Sequence, residues 1–428
     1  MKRTALFLII ILAVFSASYA QNPEQEIKAN PCLAGSNYLA YPGPKQHHLT
    51  PAPAGYKPFY ISHYGRHGSR YLIGQNDYTF PLNTLAKADS LGKLTPLGKE
   101  VLRKVHLMAA ESYKRLGELT LLGSQQHAGI AHRMVKRFPE VFADSASIDA
   151  KSTVVIRCIF SMESELQEML KLNPCLKITN DASEHDMYYM NQQDRDLDKA
   201  RFTSELKKQF NDWEAKNFNP KPLMQRLFND TAYAATLNER SLASHLFSLA
   251  NIIQDSEIRH KISLYDIFTK DELYNLWYND NAYWYIAYGA CPLNGATQPY
   301  RERNLLLSFI NQADSCIALP THGATLRFGH ETCVLPLTCL LGLNGYDCQV
   351  KSFDDIVKSG WVNYRIFPMG SNIQFIFYRR SKTDHNPLVK VLLNENETTL
   401  PIKSDTKPYY RWSDVKAYYL DKLAKAGY

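Results

Sequence analysis

Strand-type runs near both ends of the chain bracket a long interval of helical periodicity, and this limits the folds open to it. "PFYISHYG" alternates and is rich in β-branched and aromatic residues, so residues 58–64 read as a strand. "STVVIRCIFS" is a continuous apolar run of the kind buried in a parallel sheet, and reads as a second strand. "SNIQFIFYRR" and "LVKVLLNENETTLPI" alternate like paired strands, and Ser413 is placed to cap a terminal helix, "DVKAYYLDKLAKA". From about 163 to 310 helical periods dominate, as in "LASHLFSLANIIQD" and "ERNLLLSFINQADSCI". The pattern predicts a mostly helical unit, 163–310, inserted between two parts of an α/β unit, 21–162 and 311–428.

Residues 1–20 stand apart from the fold. Lys2-Arg3, the apolar run Ala5–Phe15 and the small residues before Gln21 form an export signal cleaved after Ala20. The apolar core is shorter than the ~20 residues a membrane span needs. Lys2 and Arg3 account for two of the chain's +7 formal charges, so the exported chain carries +5. A mildly basic balance suits an anionic small substrate, and no block of like charge suggests a nucleic-acid arm. The eight cysteines, an even number in an exported chain, permit disulfides; Cys339 with Cys348 is a local possibility. No CxxC pair points to zinc.

Chemistry concentrates just past the first strand, in Arg66-His67-Gly68-Ser69-Arg70. A strand end followed by a glycine-containing loop is where α/β folds place ligands. Arg66 and Arg70 offer forked guanidinium donors that match phosphate oxygens. Gly68 lets the backbone approach closely. A neutral imidazole such as His67, with an ordinary pKa near ~6.5, can attack phosphorus. The plainer alternative is a surface loop with two solvated arginines. Arg157, followed by Ser161, closes the apolar run "STVVI", where a guanidinium must face a site or a carboxylate. "FGHETCVLPL" sets His330 beside Glu331: a second phosphate ligand and a proton donor to a departing alkoxide.

In this order, the motifs resemble those of the histidine phosphatase superfamily, in its acid phosphatase and phytase branch. Arg66-His67-Gly68-Ser69-Arg70 matches an Arg-His-Gly-x-Arg signature, and "ELTLLGSQQHAGIAHRM" is similar to a Leu-Thr-x-x-Gly segment with its following helix. "RCIFSMES" stands where the family has a third active-site arginine, and "FGHETCVLPL" where it has a C-terminal histidine and acid. Within the branch, "FGH…LPL", "GATQPYRERNLL" and the C-terminal strands resemble multiple inositol polyphosphate phosphatases of bacteria. One departure stands out. That subgroup has His-Ala-Glu at the donor position, whereas here Glu331 takes the alanine place and Thr332 the glutamate place. The site thus resembles the His-Asp of other phytases, its acid longer by one methylene.

The resemblance implies an α/β fold with a central, mostly parallel sheet flanked by helices and an inserted all-helical cap domain. It implies His67 as nucleophile and Glu331 as proton donor, then as activator of water. Arg66, Arg70, Arg157 and His330 would hold phosphate oxygens, with no metal and no cofactor required. The implied activity is hydrolysis of inositol hexakisphosphate and lower inositol polyphosphates, in the periplasm or secreted, without nucleic acid or membrane insertion. The alternatives are a broad-specificity acid phosphatase and a non-catalytic inositol phosphate binding protein; an intracellular mutase conflicts with the export signal.

Other residues carry less. His63 reads as a packed or supporting residue, and His322 and Arg327 are candidates to line the pocket. Lys207, Lys208, Lys216, Lys221, Arg301 and Arg303 are candidates to meet further phosphates. The aromatic run 276–289 reads as core.

Overall fold

A computed structural model describes residues 22–428; the expected export signal lies outside them. One sheet organises the chain. Its strands are β1 Lys57–Arg66, β2 Ser147–Ser152, β3 Lys177–Ala182, β4 Gly323–Gly329, β5 Asn372–Arg379, β6 Leu388–Leu393, β7 Asn396–Glu397 and β8 Tyr410–Arg411. The order is β3-β2-β4-β1-β5-β6-β7, with β8 also pairing β6. β3, β2, β4 and β1 run parallel, while β5 lies antiparallel to β1, and β6 to β5. The fold is α/β, with a sheet that is parallel in its central part and flanked by helices.

Every residue of β4, β5 and β6 is buried, as is β1 from Phe59 onward. The alternation read in β1, β5 and β6 therefore does not separate a core face from a solvent face, since both faces of these strands are covered. Tyr60 and Tyr64 pack on one face with helices Arg303–Ile317, Glu331–Leu341 and Trp412–Lys425. Ile61 packs on the other with helices Leu121–Arg137 and Ile156–Leu172. A third core joins helices Gln75–Ser90 and Pro96–Glu111 to helices Glu239–Ile252 and Lys270–Tyr288. That layer mixes residues from before and within the interval 163–310. Among the described residues no helix is long and apolar enough to cross a membrane.

Four expectations need correction. "STVVIRCIFS" is not a strand: β2 ends at Ser152, and Ile156 begins a helix whose first turn carries Arg157. Val154, Ile156 and Phe160 are exposed, so the apolar run marks a surface turn and helix start rather than a buried strand. The helical interval begins late, because β3 falls inside it as the sheet's edge strand. Ser413 does not cap the last helix. That helix starts at Trp412, and the side chain of Asn386, from a distant loop, accepts the Ser413 amide at 3.0 Å. All eight cysteines are free, Cys339 and Cys348 included.

One close approach seats the loop after β1. Thr120 caps helix Leu121–Arg137, its hydroxyl accepting the Gly123 amide at 3.3 Å. A Cβ on Gly123 would lie 2.3 Å from the Ser69 carbonyl oxygen, and one on Gly68 2.5 Å from that of Gly123. The two backbones touch, and only glycine at both positions allows it. Gly123→Ala is expected to destabilise the protein by roughly 1–3 kcal/mol through this overpacking. The measurement is a lower urea midpoint at unchanged m-value; an unchanged midpoint would show that the contact is not tight.

Candidate active site

β1 and β4 are parallel neighbours with Arg66 opposite Gly329, so their C-terminal ends deliver Arg66-His67 and His330-Glu331 to one place. β2, beside β4, ends at the same edge and leads into the helix bearing Arg157. Ligand sites of α/β sheets form at such strand ends, where the order of strands reverses. Backbone bonds fix the loop. The Arg66 amide donates to Ser371 O at 2.7 Å and the His67 amide to Gly329 O at 2.9 Å. The Gly370 amide donates to His67 O at 2.9 Å, and the Gly68 amide to the Ser161 hydroxyl at 3.1 Å.

The side chains converge. Glu331 Oε2 lies 3.0 Å from Arg66 Nε and 3.6 Å from His67 Nε2. The rings of His67 and His330 stand edge to face, 5.8 Å between centroids. Arg66 is anchored by a 2.8 Å bond from Nη1 to Phe367 O, and Arg70 by a 2.9 Å bond from Nη1 to Tyr71 O. Arg157 reaches Gly117 O at 3.5 Å. His67 Nδ1 sits 2.9 Å from Gly68 O. A carbonyl only accepts, so Nδ1 carries the proton and Nε2 keeps its lone pair. His67 Nε2, Arg66 Nη2, Arg70 Nε and Arg157 Nε are buried without a hydrogen-bond partner. Arg157, His330 and Glu331 line a cavity of about 500 Å³ whose wall also includes Asp198, Arg201, Tyr288 and Arg301.

The sequence pattern of the Histidine phosphatase superfamily (branch 2) matches residues 66–394. The chain belongs to this family. It is therefore a histidine phosphatase. Solved structures share the fold. Multiple inositol polyphosphate phosphatase of Bifidobacterium longum, in complex with phosphate, aligns at a TM-score of 0.75 and 19% identity, covering 90% of this chain and 97% of its own. The phytase from D. castellii gives 0.64 at 15% identity, covering 92% and 85%. Hafnia alvei phytase with tartrate gives 0.53 at 15%, covering 86% and 98%. No curated protein sequence matches significantly.

The electrostatics of this histidine phosphatase favour an anion. Burial pushes the His67 pKa well below 6.5; nearby Glu331 opposes this, and the charges of Arg66 and Arg157 add to it. His330 is lowered to about 4, by burial and then by Arg157, Arg66 and Arg70 against the pull of Glu331. Burial alone would raise Glu331, but Arg66, neighbouring His67 and Arg70 hold it well below the usual carboxylate range. Burial lowers Arg66 to about 10 and also lowers Arg157, leaving Arg66 cationic at neutral pH. His67, His330 and Glu331 offer donor atoms within 4.8 Å of one another, a spacing that suits a metal ion. A divalent cation there would sit in the field of Arg66, Arg70 and Arg157, the same field that attracts phosphate.

All six expected residues gather at this point. Arg301 joins them at the cavity wall, with Tyr288 from the aromatic run. His63 is packed against Phe328, 5.5 Å between rings. Two expectations fail. His322 precedes β4, at the far end of the strand, and bonds Ala143 O at 2.9 Å. Arg327 lies beneath helix Arg303–Ile317, bonding Ser62 Oγ at 3.0 Å and covering the Phe309 ring. Lys207, Lys208, Lys216 and Lys221 are exposed and do not line the cavity, and Arg303 pairs with Asp194 at 2.8 Å. Sequence reasoning missed Arg201, Asp198 and Asp255. Asp255 is fully buried, accepts the Ser69 hydroxyl, and is pushed up to about 8 by burial. A helix of mixed charge such as "RDLDKAR" looks solvated, and nothing local ties Asp255 to Ser69.

The lowered histidines set a pH dependence. Between 6.5 and the folded value, about 4 for His330, the unfolded chain binds a proton that the folded chain refuses. Stability therefore falls as pH drops through that window. Glu331, depressed in the fold, adds stability present above its ordinary value of 4.5 and lost as pH falls through its lower folded value. His330→Asn is expected to flatten the loss between pH 6.5 and 4 by on the order of 2–3 kcal/mol. Urea denaturation at pH 7, 5 and 4 measures it; an equally steep loss in the variant would contradict the assignment.

Proposed function

We propose that the protein is an exported phosphomonoesterase that hydrolyses inositol hexakisphosphate and lower inositol polyphosphates through a phosphohistidine. The observation that carries the chemistry is the unpartnered Nε2 of neutral His67, set among Arg66, Arg70 and Arg157 and 3.6 Å from Glu331. Nε2 attacks phosphorus as the bond to the leaving oxygen breaks, and Glu331 in its acid form protonates that oxygen. The guanidinium groups and His330 hold the three oxygens whose charge redistributes in transfer. Glu331, now a carboxylate, takes a proton from water, whose oxygen attacks phosphorus; the N–P bond breaks, phosphate leaves, and both residues return to their starting forms.

The substrate class draws on two observations. The cavity lined by Arg157, His330 and Glu331 is also lined by Arg201 and Arg301, further cations that suit a substrate with more than one phosphate. Among structures of the same fold, the Bifidobacterium longum enzyme has been captured with inositol hexasulfate, at 19% identity and a TM-score of 0.72. Export rests on the sequence of residues 1–20.

Timed chromatography of inositol hexakisphosphate digests tests the reading. The wild type is expected to produce a ladder of lower phosphates, with kcat/KM well above that for sugar phosphates. His67→Ala is expected to lose turnover by at least about a thousandfold. Comparable kcat/KM on both substrate classes would reduce the assignment to a broad acid phosphatase, and unchanged turnover in the variant would remove the covalent route.

A further inference from the structure

Away from the phosphate cage, two guanidinium groups share one carboxylate at the cavity wall. Asp198 Oδ1 accepts from Arg301 Nη2 at 2.8 Å and also from Arg201 Nη2. Both guanidinium carbons lie over the Tyr288 ring, 4.6 Å from its centroid for Arg201 and 5.1 Å for Arg301. The pair is held from behind. Asn294 donates to the Arg201 carbonyl at 3.2 Å, and Gln298 to the Leu197 carbonyl at 2.8 Å, tying helix Arg195–Arg201 to the Arg301 segment. The Nε of Arg201 is buried without a partner.

The charges do not balance. Among the described residues, no other carboxylate lies within 4.0 Å of either guanidinium. Glu302, next in sequence, is pushed up to about 8 by burial and does not neutralise Arg301 at neutral pH. Two fixed cations therefore face one anion. The cations are the buried partners: the Arg301 and Arg201 side chains are 6% and 22% exposed, against 42% for Asp198. The carboxylate is thus the partner of the three most open to solvent.

We propose that Arg201 and Arg301 form a second anion subsite for another phosphate of the substrate, and that Asp198 fills it in the free enzyme as a built-in competitor. A phosphate brings more charge than a carboxylate and three oxygens that match the two forks. Displacing a partly exposed carboxylate costs little, because such pairs are weak in water. The subsite discriminates through that exchange. A substrate with one phosphate leaves Asp198 in place, whereas a polyphosphorylated ring turns the side chain out and gains both guanidinium groups. Arg303 takes no part, since Asp194 and the Gln192 amide already engage it.

The identity of the ligand as a polyphosphorylated ring rests on the function proposed above; the subsite itself rests on the geometry. Calorimetric titration with inositol hexasulfate, which the enzyme does not hydrolyse, and with inorganic phosphate separates the two. Asp198→Asn is expected to raise the ratio of hexasulfate to phosphate affinity by about threefold or more. Arg201→Gln and Arg301→Gln are each expected to lower that ratio by about tenfold or more. A gain of affinity in Asp198→Asn cannot come from a folding defect, so the test survives instability of the arginine variants. Weaker or unchanged relative binding of hexasulfate in Asp198→Asn overturns the competitor role, and an unchanged ratio in both arginine variants overturns the subsite. If the variants shift the ratio as expected but the wild type releases no phosphate from inositol hexakisphosphate, the proposed function fails and the subsite stands. If the wild type does release it and the ratios stay flat, the reverse holds.

Discussion

Three guanidinium groups drawn in around one imidazole set the terms for the rest of this structure. Arg66 is wholly buried and Arg70 nearly so, yet Glu331 and the elevated Asp255 are the carboxylates whose charge bears on Arg66. Such an arrangement is unfavourable unless each cation is hydrogen-bonded and held. The fold supplies the holding through backbone. Phe367, Tyr71 and Gly117 present carbonyls to Arg66, Arg70 and Arg157, and each comes from a different segment. Parallel β1 and β4 fix the spacing of His67 and His330 to the register of a sheet, which varies far less than that of a loop. The N-termini of helices Ile156–Leu172 and Glu331–Leu341 lie at the same edge and add to the positive field.

How far the sequence announces this depends on whether a signal is local. The strand ending in Arg66 and the paired C-terminal strands are legible from alternation and from β-branched and aromatic residues, although both faces of each are in fact buried. Arg157 is recognisable as a site residue although the element assigned to it is wrong. The apolar residues before it suggest a strand, but several of them are exposed and the guanidinium leaves from the first turn of a helix. His322 and Arg327 mislead in the other direction. They are close to His330 in sequence, but a strand separates His322 from the site by its whole length, and Arg327 turns within β4 onto the Phe309 ring. Arg201, Asp198 and Asp255 act through partners about a hundred residues away or more, such as Arg301 and Ser69, and only the folded chain brings them together.

The proton that the proposed reaction needs is missing from the free enzyme. Glu331 is held well below the usual carboxylate range because Arg66 touches it and Arg70 adds its charge, which favours the anion in the free enzyme. An anion cannot protonate a departing alkoxide. The field that depresses it is, however, the one an incoming phosphate cancels. A phosphate lodged among Arg66, Arg70, Arg157 and His330 takes up their donors and places negative charge beside Oε2, and both changes raise the carboxyl pKa. A phosphomonoester at mildly acidic pH can arrive as a monoanion carrying its own proton. Transfer of that proton to Glu331 leaves the dianion for the guanidinium groups and loads the acid in one exchange. Substrate binding and proton uptake are then a single event. The extra methylene of glutamate lets the carboxylate rest on Arg66 while still reaching within 3.6 Å of the atom that attacks. In the proposed reaction the acid would be armed only when the cage is full, so the contact that favours the anion in the free enzyme would tie catalysis to the presence of a phosphate.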